Sequence, residues 1–232
     1  MIEIQKAERR NSAKQTDRVV VTYYTDPLCC WSWAFQEQWE RFCNEYGDRV
    51  DISYVMGGMI ADWKKFSDPV SDISSPAQMG PIWMHAAAVT HTEMNYHIWH
   101  KDPPASSYPA CIAVRNAFLQ SRQAGELYLK AIRRAVMVEQ RNIARPDVLA
   151  AVADELSERN ADVFNADDFR EAGSDVAARR AFRDDLQKAA YHKIGRFPTV
   201  TFVTGAGRGL IITGFRPFEM LKACMAELSD NA

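Results

Sequence analysis

Residues 19–33 read Val19-Val20-Val21-Thr22-Tyr23-Tyr24-Thr25-Asp26-Pro27-Leu28-Cys29-Cys30-Trp31-Ser32-Trp33. The first six are β-branched or aromatic, the composition of a buried strand. Thr25-Asp26-Pro27 breaks that strand. From about Cys30 the apolar residues Phe35, Trp39, Phe42 and Tyr46 recur at helical spacing, and Gly47 is placed to end the helix. Val50, Ile52, Tyr54 and Met56 then alternate with Asp51 and Ser53 as a second strand, stopped by Gly57-Gly58. Strand, helix and strand with short joins make a βαβ unit, so the two strands are expected to be parallel and the crossover right-handed. Cys29 and Cys30 sit where the first strand hands over to the helix.

Working outward, residues 1–17 are polar and are expected to be a flexible N-terminal segment. Downstream, Pro76 to Thr90, Ser107 to Gln123, Glu126 to Val138, Pro146 to Ser157 and Asn165 to Tyr191 carry helix signals, with Pro146 at a first helical position and Asn165 as an N-cap. Sheet character returns at Thr199-Val200-Thr201-Phe202-Val203-Thr204. Gly205-Ala206-Gly207 turns the chain, and Arg208 to Thr213 completes a hairpin. A last helix begins near Pro217, with Phe218, Leu221, Met225 and Leu228 on one face. The fold class is α/β: a βαβ half and a ββα half separated by an all-helical insertion.

Composition narrows the function. The 232 residues are 47% hydrophobic and 25% charged, with a net charge of -2 and no basic cluster, which speaks against a nucleic-acid partner. No run approaches the roughly 18 apolar residues of a membrane span, and the polar N-terminus lacks the apolar core of a secretory signal. A cytoplasmic protein without a membrane partner is expected. Five cysteines, an odd number with mostly long spacings, do not form a disulfide framework.

One cysteine is singled out by position. Unpaired N–H groups and the dipole at a helix start depress a thiol pKa, and Cys29 is so placed. Cys43, Cys111 and Cys224 fall inside helical stretches and read as small buried hydrophobes. Cys30 is a poor disulfide partner for Cys29, because adjacent Cα atoms lie about 3.8 Å apart and a relaxed bridge wants roughly 4.4 Å or more. Phe197-Pro198, directly before the hairpin, is either an edge device or a cis X-Pro turn. Trp31 lies beside Cys29 and is a candidate groove wall, whereas Trp33 and Phe35 read as packing. His85, His91, His97 and His100 lack a zinc spacing. Gly57-Gly58 and the glycines of 205–209 are not phosphate loops.

Asp26-Pro27-Leu28-Cys29-Cys30-Trp31-Ser32-Trp33 resembles the Asp-Pro-Leu-Cys-x-x-Cys-Trp signature of DsbA-like thioredoxin-fold proteins, and Arg196-Phe197-Pro198-Thr199 resembles their cis-proline loop. The branch it is most similar to is the FrnE-like and 2-hydroxychromene-2-carboxylate isomerase group, which places a segment like Ser106-Ser107-Tyr108-Pro109-Ala110, and a later arginine like Arg115, beside the site. The resemblance implies a thioredoxin-like domain from 18–75 and 193–232, with a helical insertion domain at 76–192. It puts the nucleophile at Cys29, the resolving position at Ser32 and the cis-proline at Pro198, with Cys30, Trp31, Phe197 and Tyr108 toward the substrate. Ser32 departs from the pattern, since a hydroxyl cannot resolve a mixed disulfide but can donate a hydrogen bond to a thiolate.

The leading expectation is therefore a monothiol Cys-x-x-Ser disulfide oxidoreductase or isomerase. It would act on a protein or small-molecule thiol or disulfide, with no bound cofactor and glutathione as co-substrate. The alternatives are a glutathione-dependent non-redox isomerase or transferase and, of another class, a thioredoxin-fold adaptor or binding protein.

Overall fold

A computed structural model of the chain describes residues 18–66, 68, 72–172 and 176–229; the expectation for residues 1–17 lies outside them. Strand β1 (Val19–Thr25) pairs in parallel with β2 (Val50–Met56), Val19 opposite Val50 and Thr25 opposite Met56. On its other side β1 pairs antiparallel with β3 (Thr199–Val203), which pairs antiparallel with β4 (Gly209–Thr213). The sheet order β2-β1-β3-β4 joins the two expected halves edge to edge. The expected helix after β1 divides at Phe35 into α1 (Cys30–Ala34) and α2 (Gln36–Tyr46). Phe35 and Trp39 remain buried against Tyr23.

Between β2 and β3 come α3 (Met79–Thr90), α4 (Ile98–Lys101), α5 (Tyr108–Gln120), α6 (Arg122–Met137), α7 (Pro146–Arg159), α8 (Ala166–Ala172) and α9 (Val176–Tyr191); α10 (Phe218–Ser229) follows β4. Helix α6 starts earlier than its apolar pattern suggests because Ser121 caps it, its hydroxyl accepting from Ala124 N–H at 2.9 Å. Asn165 caps α8 as expected, accepting from Asp167 and Asp168 N–H at 2.8 and 3.1 Å. The described residues of the Asn165–Tyr191 stretch form α8 and α9, and α4 carried no signal of its own. One continuous core runs from Val21, Tyr23 and Phe35 beneath the sheet to Trp83, Trp99, Ile132 and Val136 in the helices. Among the described residues no helix is long and apolar enough to cross a membrane.

Candidate functional site

The site lies at the C-terminal end of β1, where three chain segments meet. Asp26 makes the turn: its Oδ1 accepts from Leu28 N–H at 2.9 Å and its backbone carbonyl from Cys29 N–H at 3.1 Å. Cys29 is then delivered to the start of α1. Opposite it the Phe197–Pro198 bond is cis, which settles the choice left open by the sequence. The loop is held by Thr199, whose hydroxyl donates back to Arg196 C=O at 2.8 Å. Gly57 completes the junction at the end of β2. A Cβ there would come within 1.9 Å of the Phe197 ring, so only glycine admits that ring in its present place.

Cys29 and the cis-proline loop touch directly: the thiol donates a hydrogen bond to Phe197 C=O at 3.2 Å. A carbonyl accepts from a thiol and repels a thiolate, so this contact favours the protonated form. Burial acts in the same direction. Cys29 is only 5% exposed, and desolvation pushes its pKa up from the ordinary thiol value. The Ser32 hydroxyl and amide, and more weakly the Arg133 guanidinium, pull it back; the Asp26 carboxyl adds to the rise. The expected depressed pKa is therefore corrected. The helix start that was to supply it belongs to a five-residue helix, and it is outweighed by desolvation.

Cys30 is buried in the core with its pKa raised further, by desolvation and by the neighbouring Cys29. Ser32 is wholly buried, and its hydroxyl has no partner at full hydrogen-bond geometry. Trp31 is half-buried with its ring edge-on to His85, centroids 5.8 Å apart. Cys29, Cys30, Trp31 and Phe197 line a cleft of about 880 Å³, together with Gly57, Gly58, Phe215 and Arg216. Tyr108 is not in its wall. Its ring packs edge-on against Phe182 of α9, centroids 4.9 Å apart. The adjacent serines reach the site instead: Ser107 Oγ donates to Asp26 Oδ2 at 3.0 Å and accepts from Ile60 N–H at 3.1 Å.

Two residues central to this geometry were not singled out by the sequence. Asp26 is fully buried, accepting from Leu28 and Met59 amides, Ser107 and the Cys111 thiol; desolvation nevertheless raises its pKa. Arg133 of α6 is also fully buried, donating to Gln36 Oε1 at 2.6 Å and to Thr25 Oγ1. In sequence Asp26 looks like a strand breaker and Arg133 like one member of a charged helix. Only the approach of α5 and α6 to the end of β1 gives them their places.

A four-stranded sheet with a cysteine at the end of its first strand and a cis-proline loop against that sulfur defines a thioredoxin-fold protein with one thiol at the functional position. Comparison with known families agrees. The chain belongs to the thioredoxin family, whose model, described as Thioredoxin, matches residues 23–223. A curated relative from Halalkalibacterium halodurans, the ClpXP adapter protein SpxH, is 25% identical over 211 residues, 89% of this chain and 67% of its own. The protein of the same name from Shouchella clausii is 26% identical over 85% of this chain and 62% of its own. The chain thus spans roughly two thirds of the length of the curated relatives it matches. Among solved structures, the cytosolic disulfide reductase DsbM from Pseudomonas aeruginosa superposes with a TM-score of 0.64 at 23% identity, over 83% of this chain and 88% of that one, a likeness of fold.

These findings overturn the enzyme readings. All eight curated relatives are described as ClpXP adapter proteins and none as an oxidoreductase or isomerase. The site agrees with them. All five cysteines are free, no second cysteine stands at Ser32, burial pushes the Cys29 thiol's pKa up, and that thiol donates to Phe197 C=O. Disulfide exchange begins with a thiolate, and this site works against one.

Proposed function

We propose that this chain is a thioredoxin-fold adaptor, which holds a protein partner in the cleft beside Cys29 and the Phe197–Pro198 loop and delivers it to a ClpXP-type protease in the cytoplasm. The observation that carries this reading is the shared description of the relatives, which match between 85% and 94% of the chain. Among thioredoxin-fold branches this favours the adapter group over the FrnE-like and isomerase group. The cleft supports the reading chemically. Trp31, Phe197 and Phe215 give it apolar walls, Arg196 and Arg216 add cationic groups beside the cis-proline loop and the end of β4, and Asp62, Lys65 and Asp68 line it elsewhere, a surface for recognition rather than for bond exchange. Ser32 and Cys30 become packing residues that fix the platform, and Cys29 a hydrogen-bond donor that ties α1 to the loop. Glutathione, expected as a co-substrate, has no part in this reading.

The test follows a partner recovered on the immobilised full chain. Purified ClpXP is expected to degrade that partner several-fold faster when the chain is added, and the acceleration is expected to survive Cys29→Ala, because it needs no thiol chemistry. Insulin reduction with glutathione should stay at background for both. Cys29-dependent reduction well above background, without accelerated degradation, would sink the adaptor reading.

A further inference from the structure

Among the described residues strand β4 is an edge of the sheet, bordered on one side only by β3. Just beyond the two ends of their pairing, Gly214 N–H donates to Pro198 C=O at 2.8 Å and Thr204 N–H to Arg208 C=O at 2.9 Å. With Thr199 opposite Thr213 and Val203 opposite Gly209, antiparallel alternation assigns the β3-facing bonds of β4 to Leu210 and Ile212. The N–H and C=O groups of Gly209, Ile211 and Thr213 therefore point away from the sheet, and all three residues are exposed.

Natural sheets blunt such edges with charged residues, proline or a bulge. Gly209-Leu210-Ile211-Ile212-Thr213 has no charge and no proline, and its register with β3 is one to one. It instead shows apolar surface: Ile211 is 58% exposed, and on the same sheet face Val203 and Val20, which are paired across β3 and β1, are 40% and 44% exposed. On the opposite face Leu210 and Ile212 pack toward the core.

We propose that β4 takes an extended segment of the protein partner as a fifth strand: a short uncharged run rich in β-branched residues, ending in acidic residues. The inference deepens the adaptor reading and rests on it for the identity of the partner as a protein. The strand's course selects this occupant. From Thr213 the chain passes into Gly214, Phe215 and Arg216, which line the cleft, so a segment laid along β4 continues toward Arg216 and Arg196. Those guanidinium groups match carboxylates, whereas the strand itself matches an uncharged run. A second copy of the chain is the poorer occupant. Edge pairing over five residues falls well short of the roughly 1,000 Å² that a stable interface needs.

The test uses the full chain and a short labelled peptide of alternating valine and threonine ending in two glutamates. Binding is expected to slow hydrogen exchange at the amides of Gly209, Ile211 and Thr213. Ile211→Pro removes an outward donor without touching the β3 ladder, and should weaken binding by about tenfold or more, as does Ile211→Lys if the proline variant folds poorly. Arg216→Glu should weaken the glutamate peptide and spare a version ending in two lysines. Unchanged exchange at the three amides at millimolar peptide, or protection confined to the cis-proline loop, overturns the proposal. So does concentration-dependent dimerisation abolished by Ile211→Pro. Protection of the three amides with no acceleration of ClpXP degradation supports the edge site and sinks the adaptor reading, so the two failures are told apart.

Discussion

Cys29 shows how position alone misleads about a side chain's chemistry. It stands at the strand-to-helix junction where thiols are commonly activated, yet its sulfur is buried and its proton is committed to Phe197 C=O at 3.2 Å. A thiol whose pKa is raised in the folded state is favoured there in its protonated form. Its contribution to stability is therefore fully present below the ordinary thiol pKa of about 8.5 and is lost as pH rises beyond that through the raised folded-state pKa. Measured by pH-dependent alkylation, the reactivity of Cys29 is expected to keep climbing past the ordinary thiol range, with no plateau near neutrality. Ser32 opposes the shift, so Ser32→Ala should move the whole profile to higher pH and slow alkylation at any fixed pH. A plateau below pH 8, or a Ser32→Ala profile superimposable on wild type, would show a thiolate held by groups other than these.

The elements of the sheet were legible because their residues carry strong local signals. Val19–Thr25 and Thr199–Val203 are β-branched or aromatic throughout, and glycine and proline mark their ends. The cis-proline loop and Cys29 followed from the order of those elements and a family pattern. Asp26, Arg133 and the break at Phe35 were not legible, since each depends on which helix arrives at the end of β1, and no local pattern encodes that. Asp185 of α9 is another such residue, in sequence one charged side chain among several on its helix. It is nearly buried, accepting from Met56 N–H at 2.9 Å and facing the Arg115 guanidinium at 3.4 Å, and so fastens α9 to the end of β2 beside Gly57. Desolvation outweighs Arg115 and the Met56 amide and lifts its pKa from 3.8 to about 6. The folded state thus holds the Asp185 proton more tightly than the unfolded chain, and stability is lost as pH rises from about 4 to about 6. Denaturant titrations of wild type and Asp185→Asn should show wild type gaining on the variant as pH falls from 7 to 4, by about 3 kcal/mol at most. A constant difference across that range would mean that Asp185 does not titrate where its surroundings place it.

At the scale of the molecule, the inserted helices are part of what makes the site. Helix α6 sends Arg133 under the sheet to Thr25 and Gln36, while α5 brings Ser107 and Cys111 to Asp26. The aromatic core continues across the same boundary, with Trp39 Nε1 donating to Tyr54 OH at 2.8 Å and Tyr54 OH to Glu126 of α6 at 2.9 Å. A side chain such as Trp83 or Ile132, wholly buried in that shared core, is worth roughly 1.5–3 kcal/mol by its burial, so losing one half strips several such terms from the other. The chain is therefore expected to unfold as one unit. Far-UV circular dichroism, which reports mostly helix, and the near-UV signal of the aromatic core should trace a single transition with one midpoint. Replacing residues 79–191 by a short glycine-serine linker should leave the sheet half without cooperative unfolding. Two separated transitions, or a linker variant that retains a sharp near-UV transition, would show that the sheet half folds alone and that the helices only decorate it.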